Sequence, residues 1–265
     1  GQDLRLGREV AVKFILPGSS PEAEKRFARE ARAVAALQHE SIVPIYHIGQ
    51  NALGQDYIVL PLIQGLTLRA RLRHSEMEPK ETAEYIRQIA DALATAHAAG
   101  LVHRDVKPDN ILLDSIDQRA KITDFGLVRI AQEKSLTQAD MLCGTPEYMS
   151  PEQATSGDAV DHRSDIYSLG VTLYECLTGS PPFRARPLEV IDQPRLAFPM
   201  APSRLNRQVH AVLETICLKA ISKETQGRYQ SMEAMRDDLQ RFLDGKPILA
   251  KPVSSFQVFR LWCRR

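Results

Sequence analysis

The sequence predicts an α+β chain built as two unequal lobes, a small strand-rich one followed by a larger helical one. Apolar residues recur at strand spacing up to about residue 60 and at helix spacing after about residue 65. The 265 residues suit one large domain or two small lobes and can bury a sizeable core.

"REVAVKFIL" (8–16) alternates Val10, Val12 and Phe14 against Ala11, Lys13 and Ile15, which predicts a strand. Ser20 then Pro21 signals a helix start, with serine as cap and proline in the first turn. That helix, running to about Leu37, carries Phe27, Val34 and Leu37 on one stripe, and Glu30 falls on the same stripe. "SIVPIYHIG" and "DYIVLPLI" read as two further strands.

In the second part, "PKETAEYIRQIADALATAHAAG" sets Ile86, Ala90, Leu93 and His97 on one face and stops at Gly100. "SDIYSLGVTLYECLTG" (164–179) is apolar nearly all round, as expected of a central buried helix. "SMEAMRDDLQRFLDG" is amphipathic and ends at Gly245, after which a basic tail runs to "RLWCRR". Internal repeats and low-complexity segments are absent from the sequence.

Bulk composition narrows the function classes. Lys and Arg number 34 against 33 Asp and Glu, and a net charge of +1 gives no reason to expect nucleic acid as a partner. Cys143, Cys176, Cys217 and Cys263 lie far apart with no C-x-x-C pair, so reduced thiols in a cytosolic compartment are expected rather than disulfides or zinc. The sequence has no apolar run of about 18 residues, so no segment of it is expected to span a membrane. Gly1 reads as a cut end, with no signal peptide and no initiator Met.

The chemistry concentrates in "LVHRDVKPDNILL" (101–113), where two cations, two carboxylates and an amide crowd one loop between apolar runs. Lys13 sits in V-A-V-K among apolar neighbours, and a lone strand lysine would snorkel to water. Paired with Glu30, it reads instead as a phosphate clamp between strand and helix, because each charge would be costly to bury without the other. "KITDFGL" (121–127) is a short strand ending in Asp-Phe-Gly, and Asn110 and Asp124 at adjacent strand ends offer hard oxygens suited to Mg²⁺ on nucleotide phosphates.

V-A-V-K, the helix glutamate, H-R-D-V-K-P-D-N, D-F-G, G-T-P-E-Y-M-S-P-E and D-I-Y-S-L-G stand in one order along residues 10–170, and "GRYQS" near 227 extends the pattern. In this the chain resembles the eukaryotic-like (Hanks-type) serine/threonine protein kinases, and more narrowly their bacterial subgroup. The resemblance implies a bilobal kinase fold: residues 1–60 as a partial small lobe, 61–65 as hinge, 66–245 as large lobe and 246–265 as the tail. It implies ATP and Mg²⁺ as cofactors and Ser/Thr-bearing proteins as substrates. Lys13 would contact the α/β-phosphates and pair with Glu30, and Asp105 would orient the substrate hydroxyl and accept its proton. Asn110 and Asp124 would hold the metal, Lys107 would steady the transferring phosphate, and Thr145 would hydrogen-bond Asp105 and Lys107. Phosphoryl transfer needs positioning and charge neutralisation more than covalent chemistry, which suits this set.

Further expectations follow from the same resemblance. The adenine would meet the Pro61 carbonyl and the Ile63 N–H between Ala11 and Leu112, with Leu60 as gatekeeper. Glu152 and Arg228 would form a buried ion pair, and Asp165 would receive backbone N–H groups of the catalytic loop. Asp109 is read as a solvated turn residue, His103 and Phe125 as core packing, and Cys143 as a small packing residue. Arg104 beside Asp105 marks the class switched by activation-loop phosphorylation, with Thr137 preferred over Ser135 as the phosphosite. The basic tail with Trp262 resembles a juxtamembrane end, implying a membrane tether beyond a cytoplasmic domain, and an ordinary solvated tail is the other reading. A homodimer for trans-autophosphorylation would fit such a kinase.

Only Gly1 and Gly7 precede Lys13, so the family's G-x-G-x-x-G is not present and the sequence is expected to start inside the small lobe. A degenerate kinase that binds nucleotide or protein without transfer is the alternative reading. A small-molecule phosphotransferase is a third, and the peptide-seating segment G-T-P-E-Y-M-S-P-E argues against it.

Overall fold

A computed structural model describes residues 1–14, 29–125, 146–155, 160–183 and 199–251. The small lobe is an antiparallel sheet of β1 (Gln2–Asp3), β2 (Arg8–Phe14), β3 (His47–Gln50) and β4 (Asp56–Pro61) in the order β1-β2-β4-β3. Helix α1, helical over the described residues 29–35, supplies fully buried Ala31 to a cluster with Val43, Ile58 and Leu60. Ala11, Ile63 and Leu112 pack against that cluster. The opposite face of β2 shows Val12 and Phe14 to solvent, so the β2 residues that face inward at the cleft are Ala11 and its alternate neighbour Lys13.

"SIVPIYHIG" was expected to be one strand, but only its last three residues fall within β3. Pro44 interrupts the run because it has no N–H to give a ladder. Ile42 is still buried, and it makes a single parallel bridge to Ile122 that ties the small lobe to the large one.

Past the hinge, a second antiparallel sheet joins β5 (Gly65–Thr67), β6 (Ile111–Asp114) and β7 (Ala120–Ile122) in that order. Gly65 is required there, since a Cβ would lie 1.9 Å from the Leu113 carbonyl oxygen. The helices are α2 (Leu68–His74), α3 (Pro79–Ala98), α4 (Pro151–Thr155), α5 (Arg163–Thr178), α6 (Pro202–Leu205), α7 (Ala211–Ala220) and α8 (Met232–Leu243).

Helix α5 runs through the core, as its sequence predicts, and everything from Ser164 to Leu177 on it is buried. Its neighbours contribute Ile86 and Leu93 from α3, Ile216 from α7 and Leu239 from α8. Burying each such side chain contributes about 1.5–3 kcal/mol. Gly170 lets α7 approach α5, because a Cβ there would meet the Ala220 Cβ at 2.7 Å. α8 starts at Ser231, whose hydroxyl accepts the Ala234 N–H at 3.3 Å, and Asp238 on it accepts the N–H groups of Leu249 and Ala250. No helix among the described residues is long and apolar enough to cross a membrane.

Candidate active site

The loop before β6 is clamped from beneath by α5. Asp165, fully buried, accepts the His103 and Arg104 N–H groups at 2.8 Å each and meets His97 Nε2 at 2.8 Å. Arg104 needs that clamp, because its φ of 65° is a left-handed conformation that a non-glycine residue adopts at a cost of about 1–3 kcal/mol. Gln153 of α4 donates to the Arg104 carbonyl at 3.1 Å and holds the loop from a third side.

His103 packs in the core as expected, its ring 4.6 Å from that of Phe125. It also orients two backbone segments. Nε2–H donates to the Thr123 carbonyl at 3.0 Å, and Nδ1 accepts the Asp105 N–H at 3.3 Å. Sequence reasoning gave it packing alone; the polar role follows from its burial, since both ring nitrogens must then find partners.

Above this base, Asp105 Oδ2 accepts from Lys107 Nζ at 2.8 Å and from Asn110 Nδ2 at 2.9 Å. Asn110 Nδ2 also donates to the Asp105 carbonyl at 2.8 Å, so the amide oxygen is its remaining ligand atom. The Asn110 carbonyl accepts the Thr123 N–H at 3.0 Å, and that bond sets the metal-ligand candidates Asn110 and Asp124 side by side. Asp124, like Arg104, has a positive φ of 62°. Of the three non-glycine residues with positive φ among those described, two therefore flank this cluster, as strained backbone at functional sites often does.

Lys13 Nζ reaches Asp124 Oδ2 at 2.7 Å, a partner the sequence reading did not name. Glu30, the partner expected of Lys13, is half-buried on α1. At the hinge, Leu60 is buried opposite Ala11 and Pro61 pairs with Val10. The Ile63 N–H engages no acceptor among the described residues.

Asp109 is not a free turn residue. Arg69 of α2 donates to its Oδ2 from Nε and from a terminal nitrogen, each at 3.2 Å. The same guanidinium reaches Glu175 of α5 and the Tyr148 hydroxyl, and Tyr148 donates to Glu175. Burial and the Glu175 carboxylate push the Tyr148 hydroxyl far above its ordinary range, so it stays a donor. The sequence reading missed Arg69, Tyr148 and Glu175. A signal was present for the last, since a glutamate inside a helix apolar nearly all round must be paired.

Glu152 and Arg228 form the expected bidentate pair at 2.6 and 2.7 Å. Arg228 also donates to the carbonyls of Ser222, Arg163 and Lys223. Burial alone would raise the Glu152 carboxyl, but the Arg228 guanidinium holds it below the usual carboxylate range. Thr145, Ser135, Thr137, Cys143 and Trp262 lie outside the described residues, as do Phe27 and the predicted helix start at Ser20.

The Protein kinase domain family model matches residues 2–243. Among curated relatives, the chain is 43% identical over 256 residues to "Serine/threonine-protein kinase PknB" of Mycobacterium tuberculosis (strain ATCC 25177 / H37Ra), across 93% of this chain and 40% of that protein. It is 37% identical over 249 residues to "Serine/threonine-protein kinase PrkC" of Bacillus subtilis (strain 168), across 92% of this chain and 38% of that protein. This chain thus spans about two fifths of the length of these relatives. Among solved structures, Rad53 1-466 in complex with AMP-PNP superposes with a TM-score of 0.73 at 25% identity, over 88% of this chain and 58% of that one. The ordered motifs, the lobed fold and these matches agree, and the chain belongs to the bacterial eukaryotic-like (Hanks-type) serine/threonine protein kinases.

Proposed function

We propose that the chain transfers the γ-phosphoryl group of ATP to serine or threonine hydroxyls of proteins, with Asp105 as the base. The observation that carries this reading is the convergence of Lys107 and Asn110 on one Asp105 oxygen, with the Lys13–Asp124 pair beside them across the Thr123–Asn110 bond. Asp105 holds the substrate hydroxyl and takes its proton as the hydroxyl oxygen bonds to the γ-phosphorus and the bond to the departing ADP oxygen breaks. Lys107 stays on the transferring group as a point charge, and Lys13 holds the α/β-phosphates. The Asn110 amide oxygen and an Asp124 carboxylate oxygen would hold Mg²⁺, which when bound neutralises the charge of the phosphates.

Adenine recognition is assigned to the Pro61 carbonyl and the unengaged Ile63 N–H, between Ala11 and Leu112, which both pack on the same small-lobe cluster. Thr145 is assigned to steady Asp105 and Lys107, and Glu30 to align Lys13 in the ATP-bound form. Regulation by Thr137 phosphorylation, a membrane tether beyond the tail of a cytoplasmic domain, and homodimers for trans-autophosphorylation complete this reading as a signalling kinase.

The test is intact-mass analysis after incubation with Mg-ATP, beside Asp105→Asn. Phosphate on the parent and none on the variant is the expected result, with peptide mapping placing it at Thr137. Nucleotide binding with no phosphate on either protein would favour the degenerate, binding-only alternative.

A further inference from the structure

The peptide unit that joins Arg104 to Asp105 carries the base of the proposed reaction, and it is held at both ends. Its N–H donates to His103 Nδ1 at 3.3 Å, and its C=O accepts from Gln153 Nε2 at 3.1 Å. With Arg104 at a φ of 65°, this unit has strain to release by turning once its contacts go. Such a turn would carry the Asp105 carboxylate away from Lys107 and Asn110, which meet it at 2.8 and 2.9 Å. Asp165 grips the N–H groups of His103 and Arg104, one residue short of the base.

Gln153 reaches the loop from a separate, fixed platform. It is the third residue of α4 and follows Glu152, whose carboxylate is locked on buried Arg228 at 2.6 and 2.7 Å. At the head of α4, Gln153 Oε1 accepts the N–H of fully buried Ser150 at 3.0 Å and its hydroxyl at 3.1 Å. The first of these bonds is half of a capping box, which by itself would account for a glutamine or a glutamate at this position. A cap uses only the oxygen. Two donors on Oε1 settle which end of the amide is oxygen, so Nε2 faces the Arg104 carbonyl as a donor. A glutamate would cap as well and have nothing to donate.

We propose that Gln153 is a positioning residue, whose amide passes the placement of α4 to the Arg104–Asp105 peptide and so to the base. The segment G-T-P-E-Y-M-S-P-E ends in α4, so the part of the chain read as seating the peptide and the group that takes its proton are set by one side chain. Gln153 acts through the backbone of the base and not on the reacting atoms. The proposal rests on the protein-kinase reading above, in which Asp105 is that base.

Gln153→Glu separates the two roles, because a carboxylate keeps the acceptor for Ser150 and removes the donor to Arg104. The maximal rate of phosphate transfer to a threonine peptide should fall about fivefold, the weight of one hydrogen bond, with KM for ATP and for the peptide unchanged. The thermal midpoint should stay at the parent value, since the cap is intact. Gln153→Met removes both bonds without adding charge, and it should lose the same factor in rate and lower the midpoint as well. Hydrogen exchange over residues 103–105, measured without nucleotide, should be about fivefold faster in both variants.

A parent rate in Gln153→Glu, a raised KM at constant maximal rate, or a rate loss confined to Gln153→Met would overturn the assignment and leave Gln153 a helix cap. A rate loss confined to Gln153→Glu would overturn it too, since the added charge would then be the cause. If Gln153→Met does not fold, the rate and the exchange of Gln153→Glu decide alone. Exchange needs no turnover. Faster exchange in Gln153→Glu, when neither it nor the parent transfers phosphate, would count against the proposed reaction and not against Gln153, and unchanged exchange would count against Gln153.

Discussion

Two charge clusters, one at the cleft between the lobes and one inside the large lobe, are built differently. Around Asp105, the side chains of Lys13, Asp105, Lys107 and Asp124 are between 16% and 37% exposed. Among the described residues, each carboxylate there has one or two partners, all of them side chains. Around Arg228, the guanidinium side chain is 0% exposed, Glu152 is 14% exposed, and three backbone carbonyls share the donors. The first arrangement can exchange partners, because a half-exposed ion pair has little to lose when another anion or cation arrives. The second cannot, because a buried charge stripped of its partner keeps its full desolvation cost. Chemistry is placed where charges are replaceable, and the scaffold is fixed where they are not.

The comparison is broken most severely at Asp105. Asp105→Asn is expected to lower phosphate transfer by about 10²–10⁴-fold, the usual contribution of a positioned proton acceptor. Its thermal midpoint should hardly move, since an amide of the same shape still meets Lys107 and Asn110 at a half-exposed site. A large fall in midpoint would mean that the cluster is structural after all. Arg228→Met should behave the opposite way and cost about 3–5 kcal/mol in denaturant unfolding, because Glu152 stays buried without its partner. Adding Glu152→Gln to it should return part of that loss, and a strictly additive double variant would show that the two residues do not act as a pair.

The same contrast explains what could be read from the sequence. Helix α5, the Gly100 stop of α3 and the Glu152–Arg228 pair were legible because they follow from burial pattern and ordered motifs. The Asp105, Asn110 and Asp124 cluster was legible for the same reason, each residue being carried by a motif in the family's order. The Lys13–Asp124 contact was not legible, since motif order names groups that share a site but not every pair a flexible lysine makes. Arg69 was invisible: "LRARLRH" shows several arginines on a short helix, and only the fold chooses the one that lies over Asp109 and Glu175. β5 escaped notice because three residues give no period, and Pro44 shortened a run whose apolar alternation looked continuous.

Smaller effects sharpen the boundary between the two kinds of site. The Glu152 carboxyl is held below its ordinary value of 4.5, so its stabilising contribution is complete above that pH and is lost as pH falls through the lowered value. Glu152→Gln should therefore flatten the acid side of a stability-versus-pH curve while lowering its plateau. The flattening is partial, because Asp91, Asp114 and Asp161 are also held low by Arg or Lys partners against the opposing effect of burial. An acid limb as steep in the variant as in the parent would remove Glu152 from the account. At the far end stands Glu40, 63% exposed and 3.0 Å from Arg119. Glu40→Gln should change stability by less than about 0.5 kcal/mol, because water already solvates both charges and salt screens what attraction is left. A loss as large as that of Arg228→Met would mean that exposure does not separate replaceable charges from fixed ones here, and the inference from half-exposure to function at Asp105 would fall with it.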